Sequence, residues 1–179
     1  MLLHGNYIDT KNNQRKETIL DREKFIKHYG SLYENSPHIA LEIYELHSLD
    51  TLSPSEILRL MKDHVNTMDK EFKTKLILEH PELGMKKGAL KNLTAHSKGE
   101  QKRAGLDSLS DSEYNLLTKL NGEYMNKFKF PFIIAVSGLT KEEVLRNIQV
   151  RLKNDVEVEF CTAMEEIHKI AEIRLKSLI

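Results

Sequence analysis

The chain has 179 residues, 27 Lys plus Arg against 27 Asp plus Glu, 40% apolar and 30% charged residues; that length suits one domain able to bury a core without metal or disulfide staples. The zero net charge lacks the basic footprint of a nucleic-acid binder, and no apolar run approaches membrane-spanning length. The single cysteine, Cys161, cannot form an internal disulfide, and His4, Gly5 and Asn6 follow Met1-Leu2-Leu3 too closely for a signal-peptide core, so a cytoplasmic protein with neither nucleic-acid nor membrane partners is expected.

Residues 1–20 are polar and weakly patterned and read as an extended arm, with residues 21–179 as a single helical domain. From Asp21 the pattern turns helical, placing Phe25, Ile26, Tyr29, Leu32 and Tyr33 on one face. Asn35 breaks it, and Ser36-Pro37 starts a second helix, with Ser36 as cap, Pro37 at the first position and a stripe of Ile39, Ile43 and Leu46. Ser53-Pro54-Ser55-Glu56 is a capping box opening a third helix through Ile57, Leu60, Met61, His64, Val65 and Met68. A shorter helix, Asp69 to Glu79, should end at His80, because Pro81 disfavours helical geometry in the residue before it.

The stretch from His80 to Gln101 has no clean apolar period, and a long irregular connection is often functional. Beyond it, Ser110-x-x-Glu113 opens a helix with Tyr114, Leu117, Leu120 and Tyr124 on one face. The run Phe128 to Val136 has no convincing strand to pair with and reads as a buried extended loop. Thr140-x-x-Glu143 opens the next helix, through Val144, Ile148 and Leu152. After Asn154-Asp155 a last helix runs from Val156 nearly to the end, with Phe160, Met164, Ile167, Ala171 and Leu178 on one stripe. The expected fold is an all-α, irregular bundle of seven to eight helices.

Few residues are placed to do chemistry. His80 sits at a helix end with its backbone fixed by Pro81, a rigid mounting for the side chain best suited to proton transfer near neutral pH. A lone histidine is more often structural, and the other histidines lack that setting. None forms a zinc-ligand pattern, so no metal is expected. Glu100 and Gln101 follow Ser97: Ser97 and Glu100 either form a capping box, or Glu100 meets His80 and raises its proton affinity, or both. Arg174 falls on the apolar stripe of the last helix, so it must be paired or face a cavity; its guanidinium suits a structural ion pair or a substrate carboxylate. Arg151 is a weaker candidate of the same kind, and Cys161 lies beside the last stripe as packing.

Taken together, several segments resemble a known family. They are Tyr33-Glu34-Asn35-Ser36-Pro37, His80-Pro81-Glu82-Leu83-Gly84, Ser97-Lys98-Gly99-Glu100-Gln101-Lys102-Arg103-Ala104-Gly105-Leu106, Leu120-Asn121-x-x-Tyr124-x-x-Lys127-Phe128, Phe130-Pro131-Phe132-Ile133-x-Ala135-Val136 and Ile170-Ala171-x-x-Arg174-Leu175. In this order and spacing, over residues 21–179, they resemble OHCU decarboxylase, which acts on 2-oxo-4-hydroxy-4-carboxy-5-ureidoimidazoline late in urate breakdown. The resemblance implies an all-α, cofactor-free homodimer that releases carbon dioxide and forms (S)-allantoin. It places the catalytic histidine on His80 and its glutamate partner on Glu100. Substrate contacts fall on Pro81, Ser97, Lys98, Gly99, Glu100, Gln101, Phe132, Ile133, Ile134, Ala135 and Val136, with the C-terminal arginine on Arg174.

This chain departs from the family's usual pattern in places. His38 stands where a Trp is usual, Leu46-His47-Ser48-Leu49 replaces an Arg-Pro-Phe turn, and Lys129 replaces a Gly, which matters if that position needs positive φ. Two alternatives stay open: a non-catalytic helical interaction module, and a decarboxylase of a related ureido or imidazoline acid.

Overall fold

The computed structural model describes residues 22–49, 51–84 and 93–179, so the arm expected over residues 1–20 lies outside them. Among the described residues there are eight helices and no strand. They are α1 (22–29), α2 (Pro37–Leu46), α3 (Pro54–Thr67), α4 (Lys70–Leu78), α5 (Ala95–Arg103), α6 (Asp111–Phe128), α7 (Lys141–Arg151) and α8 (Val156–Leu178). No helix among the described residues is long and apolar enough to cross a membrane.

The helix starts follow the local chemistry. Ser53 with Glu56, Ser110 with Glu113 and Thr140 with Glu143 form complete capping boxes, and Asp69 caps α4 by accepting from Phe72 N at 2.8 Å. Ser36 is a correction: it precedes α2, with Pro37 in the first turn, but its side chain makes no capping bond. Its ψ of 53° departs from the extended geometry of the working caps. The first helix also stops sooner than its stripe suggests. It ends at residue 29, and Leu32 and Tyr33 are buried from a turn, helped by Asn35 in a left-handed conformation. Leu46 does not join the stripe of Ile39, Ala40 and Ile43; it is 65% exposed. Cys161 is exposed rather than packed.

The long α8 packs against α3, α4 and α6 and carries Ala163, Met164, Ile167, Ala171 and Leu175 into the core. There they join Tyr33, Ile43, Met61, Ile77, Leu117, Tyr124 and Ile148. The loop expected over Phe128–Val136 is shorter: Phe128 ends α6 and exposed Lys129 caps it, while residues 131–136 form no strand and are buried, with Ala135 half-buried. Side chains satisfy part of that segment's backbone: Arg151 Nη1 donates to Ile133 O at 2.6 Å, and Glu166 Oε2 accepts from Ala135 N at 2.8 Å. Arg151 is itself held by Glu159, which is fully buried and also accepts from Tyr124 and Asn154.

His168 on α8 is buried, with its ring nitrogens bonded to Tyr33 at 2.8 Å and Asn66 at 3.1 Å. Burial first, then Lys62, push its pKa down to about 4, against the raising effect of Glu172. In the unfolded chain it titrates near 6.5. As pH falls below 6.5 the unfolded chain binds a proton that the folded chain refuses, so stability drops until about pH 4. The loss should be about 2 kcal/mol after allowance for solvent screening. Urea unfolding between those pH values checks this; His168→Gln should flatten the slope.

Candidate active site

Four segments converge on one cleft, of about 350 Å³ including its solvent mouth. The end of α4 and its following turn supply His80, Pro81 and Leu83, and α5 supplies Ser97, Glu100 and Gln101. The 131–136 segment supplies Phe132, Ile133, Ile134 and Val136, and α8 supplies Ile170 and Arg174.

His80 is 6% exposed. Its backbone N–H closes the last turn onto Ile77 O at 3.1 Å, and its Nδ1 lies 2.9 Å from Leu76 O. A carbonyl only accepts, so Nδ1 carries the proton and Nε2 holds a lone pair in the neutral ring. That Nε2 has no protein partner although it is buried. Burial is the main cause that lowers the His80 pKa, assisted by Arg174. The bond to Leu76 and the charges of Glu34 and Glu100 oppose it without reversing it.

The turn after His80 is fixed from α5. Gln101 Oε1 accepts from Gly84 N at 3.0 Å and its Nε2 donates to Glu82 O at 3.4 Å. Asn121 donates to Leu83 O at 3.0 Å and to Glu82 Oε1 at 3.1 Å. Gly84 has φ +71°, and a Cβ there would lie 2.3 Å from Leu117 Cδ2, so this turn admits only glycine without rearrangement.

The stretch that lacks an apolar period is in part a helix. α5 starts at Ala95, with Thr94 as its cap accepting from Ser97 N at 3.2 Å. The box expected between Ser97 and Glu100 is therefore absent: both lie inside the helix. Its buried face is Ser97 and Gln101, aimed at the cleft and the turn rather than at an apolar core.

Arg174 is 3% exposed and fully engaged. Its Nε donates to Glu100 Oε1 at 2.9 Å and its Nη2 to Glu100 Oε2 at 3.1 Å. Nη2 also lies 2.6 Å from Glu34 Oε2 and 3.3 Å from Ser97 Oγ. Both carboxylates hold the guanidinium firmly in its charged form. The paired reading of Arg174 and its place on the cleft thus both hold. Glu100 shares the cleft with His80 but bonds to Arg174, reaching His80 only through its field. Arg151 is not on the cleft lining; it supports Ile133 from behind.

Not every expected contact residue lines the cleft. Lys98 is exposed, and Lys98, Gly99 and Ala135 are absent from the lining. Sequence reasoning missed Leu83 and Ile170 as lining residues and Glu34 as a partner of Arg174. No local signal marks Glu34: its neighbours are buried Tyr33 and exposed Asn35, and its burial comes from Arg174 far along the chain. Among the described residues, no group of three His, Cys, Asp or Glu is placed to hold a metal ion.

The OHCU decarboxylase family model matches residues 18–176. This chain belongs to the OHCU decarboxylase family. It is 35% identical over 156 residues to the 2-oxo-4-hydroxy-4-carboxy-5-ureidoimidazoline decarboxylase of Haloferax volcanii, covering 87% of this chain and 89% of that one. It is 36% identical over 160 residues to the uric acid degradation bifunctional protein PucL of Bacillus subtilis, covering 89% of this chain. The match spans only 31% of that bifunctional relative, and 30% of its counterpart from a Bacillus sp.. Among solved structures, an (S)-allantoin synthase superposes with a TM-score of 0.72 at 30% identity, over 92% of this chain and 53% of that one. An OHCU decarboxylase crystallised in the presence of (S)-allantoin superposes with a TM-score of 0.64 at 27% identity, over 79% and 89%.

The chain's departures from the OHCU decarboxylase pattern take physical form here. Exposed His38 packs edge-on against Phe72, with ring centroids 5.7 Å apart. Leu49 packs on the core while Leu46 points outward. Lys129 caps α6 with φ 67°, the left-handed conformation that glycine adopts without cost. Lys129→Gly should therefore raise stability by about 1 kcal/mol. Thermal melting checks this, and an unchanged or lower midpoint would contradict it.

Proposed function

We propose that this chain decarboxylates OHCU to (S)-allantoin without a cofactor, with His80 as proton-transfer group and Glu100 as its partner. The observation that carries the reading is the buried, unpartnered Nε2 of a neutral His80 in a cleft that also holds Arg174 and Glu100. Family membership and the relatives named above support the substrate.

In OHCU one carbon carries a hydroxyl and a carboxylate and adjoins an imine carbon. When carbon dioxide leaves, its bonding pair moves into the ring and onto the imine nitrogen, which takes up a proton. The hydroxyl then loses its proton to become the carbonyl, and the former imine carbon gains one. Solvent supplies the proton on nitrogen, and neutral His80 Nε2 is suited to take the hydroxyl proton and donate it to that carbon on one face, which would set the (S) configuration. The Glu100–Arg174 pair holds a planar array of charged groups in the cleft for the ureido and carboxylate ends of the substrate. Pro81, Ser97, Gln101, Phe132, Ile133, Ile134 and Val136 would shape the rest.

The same proposal takes residues 21–179 as one catalytic domain, working as a cytoplasmic homodimer; sedimentation at micromolar concentration tests the dimer. The activity is tested by circular dichroism of fresh OHCU, generated from urate by purified upstream enzymes. Growth of the (S)-allantoin signal faster than the uncatalysed decay supports the proposal. Racemic decay at the uncatalysed rate defeats it.

A further inference from the structure

We propose that Glu34 is a positioning residue for this site: it is the standing counter-ion of Arg174 and anchors the start of α5, leaving Glu100 available to the substrate. The inference rests on the decarboxylase reading above. Glu34 does not line the cleft. It reaches the site through the partners at its two oxygens. Oε2 lies 2.6 Å from Arg174 Nη2, and Oε1 accepts from Thr94 Oγ1 at 2.6 Å. Thr94 is the residue whose side chain caps α5, the helix that presents Ser97, Glu100 and Gln101. One carboxylate thus fixes both the cation on α8 and the start of the helix bearing its other partner.

The two carboxylates on Arg174 differ in access. The Glu34 side chain is 1% exposed and that of Glu100 is 14%. A single guanidinium with two carboxylates keeps its charge balanced if one of them turns to a ligand. With Glu34 gone, Glu100 would be the only carboxylate on a buried cation, and turning it to the substrate would leave Arg174 without a counter-ion. The charges that act on His80 are Glu34 from the turn, Glu100 from α5 and Arg174 from α8. The 132–136 segment contributes only apolar side chains to the cleft lining.

Glu34→Gln keeps an acceptor for Thr94 and removes the charge. Steady-state turnover of OHCU should show KM raised about tenfold, with kcat changed less. The acid limb of kcat/KM should move to lower pH, because a negative charge that favours protonated His80 is gone. The His80 imidazole titration, followed by NMR in wild type and variant, should shift the same way and needs no turnover. A wild-type KM, or an unmoved His80 titration, overturns the proposal. Loss of turnover in the wild type would instead strike the decarboxylase reading, with the titration still deciding the role of Glu34. Should Glu34→Gln fail to fold, Glu34→Asp takes its place: it keeps the charge but pulls it back from Arg174, so KM should rise while the acid limb stays. An unchanged KM there overturns the proposal as well.

Discussion

His80→Asn should abolish most turnover, by about 10²- to 10⁴-fold, while leaving the fold as stable as before or slightly more so. Asparagine can offer a side-chain N–H to Leu76 O where His80 Nδ1 donates now, so the end of α4 keeps its bond. What disappears is Nε2, a buried nitrogen with no partner. A desolvated acceptor without a protein donor costs folding free energy, and in the cleft wall it is free to accept from a ligand. The pH profile follows from the same geometry. Burial lowers the His80 pKa, so the ring stays neutral at and somewhat below its ordinary range near 6.5. The kcat/KM of the wild type should hold level on descending to that range and fall only below it, as the ring takes a solvent proton and its lone pair is lost. Circular dichroism of OHCU turnover, beside thermal melting, measures both halves. Near-normal turnover in His80→Asn would remove His80 from the mechanism, and a large fall in melting temperature would make it a structural residue.

Much of the fold was readable because its signals are local. A Ser or Thr with Glu three residues later names a helix start through backbone chemistry, and three such boxes formed where the sequence wrote them, whereas Ser97 and Glu100 fell inside α5 behind the cap Thr94. The unpaired buried segment was readable by elimination, since the sequence held no second strand, but its start was not: Phe128 and Lys129 finish α6 before residues 131–136 begin. α5 was not readable as a helix through periodicity. Its inward face is polar, because it packs on a cleft and a turn rather than on apolar side chains. The partners of Arg174 were hidden for another reason: periodicity placed it on the core face, but which carboxylates meet it depends on one turn and one helix far apart in sequence. His80 could be singled out from the following proline; its free Nε2 could not, since that is a property of everything packed around it.

Arg151→Met should cost about 3–5 kcal/mol of stability, enough to lower the melting temperature by roughly 10 °C or more. The cost comes from what is left behind. Glu159 is wholly buried and accepts from Arg151 Nε at 2.8 Å and Nη2 at 2.6 Å. Without the guanidinium it keeps only the neutral donors Tyr124 and Asn154, too little for a charge with no access to water. Ile133 O loses its donor as well, and the Phe132 ring loses the cation stacked 4.7 Å from its centroid. Replacing both ends, as Arg151→Met with Glu159→Leu, should recover part of the loss, since an apolar pair removes the stranded charge. Recovery stays incomplete because Ile133 O and the Tyr124 hydroxyl remain unpartnered. The double variant also separates folding from function. Its wall of Phe132, Ile133 and Ile134 has lost the support behind it, so KM for OHCU should stay raised after stability has partly returned. A double variant no more stable than Arg151→Met would show that the hydrogen bonds, rather than the charge, dominate at this position, and a wild-type KM would show that the wall holds its shape without Arg151.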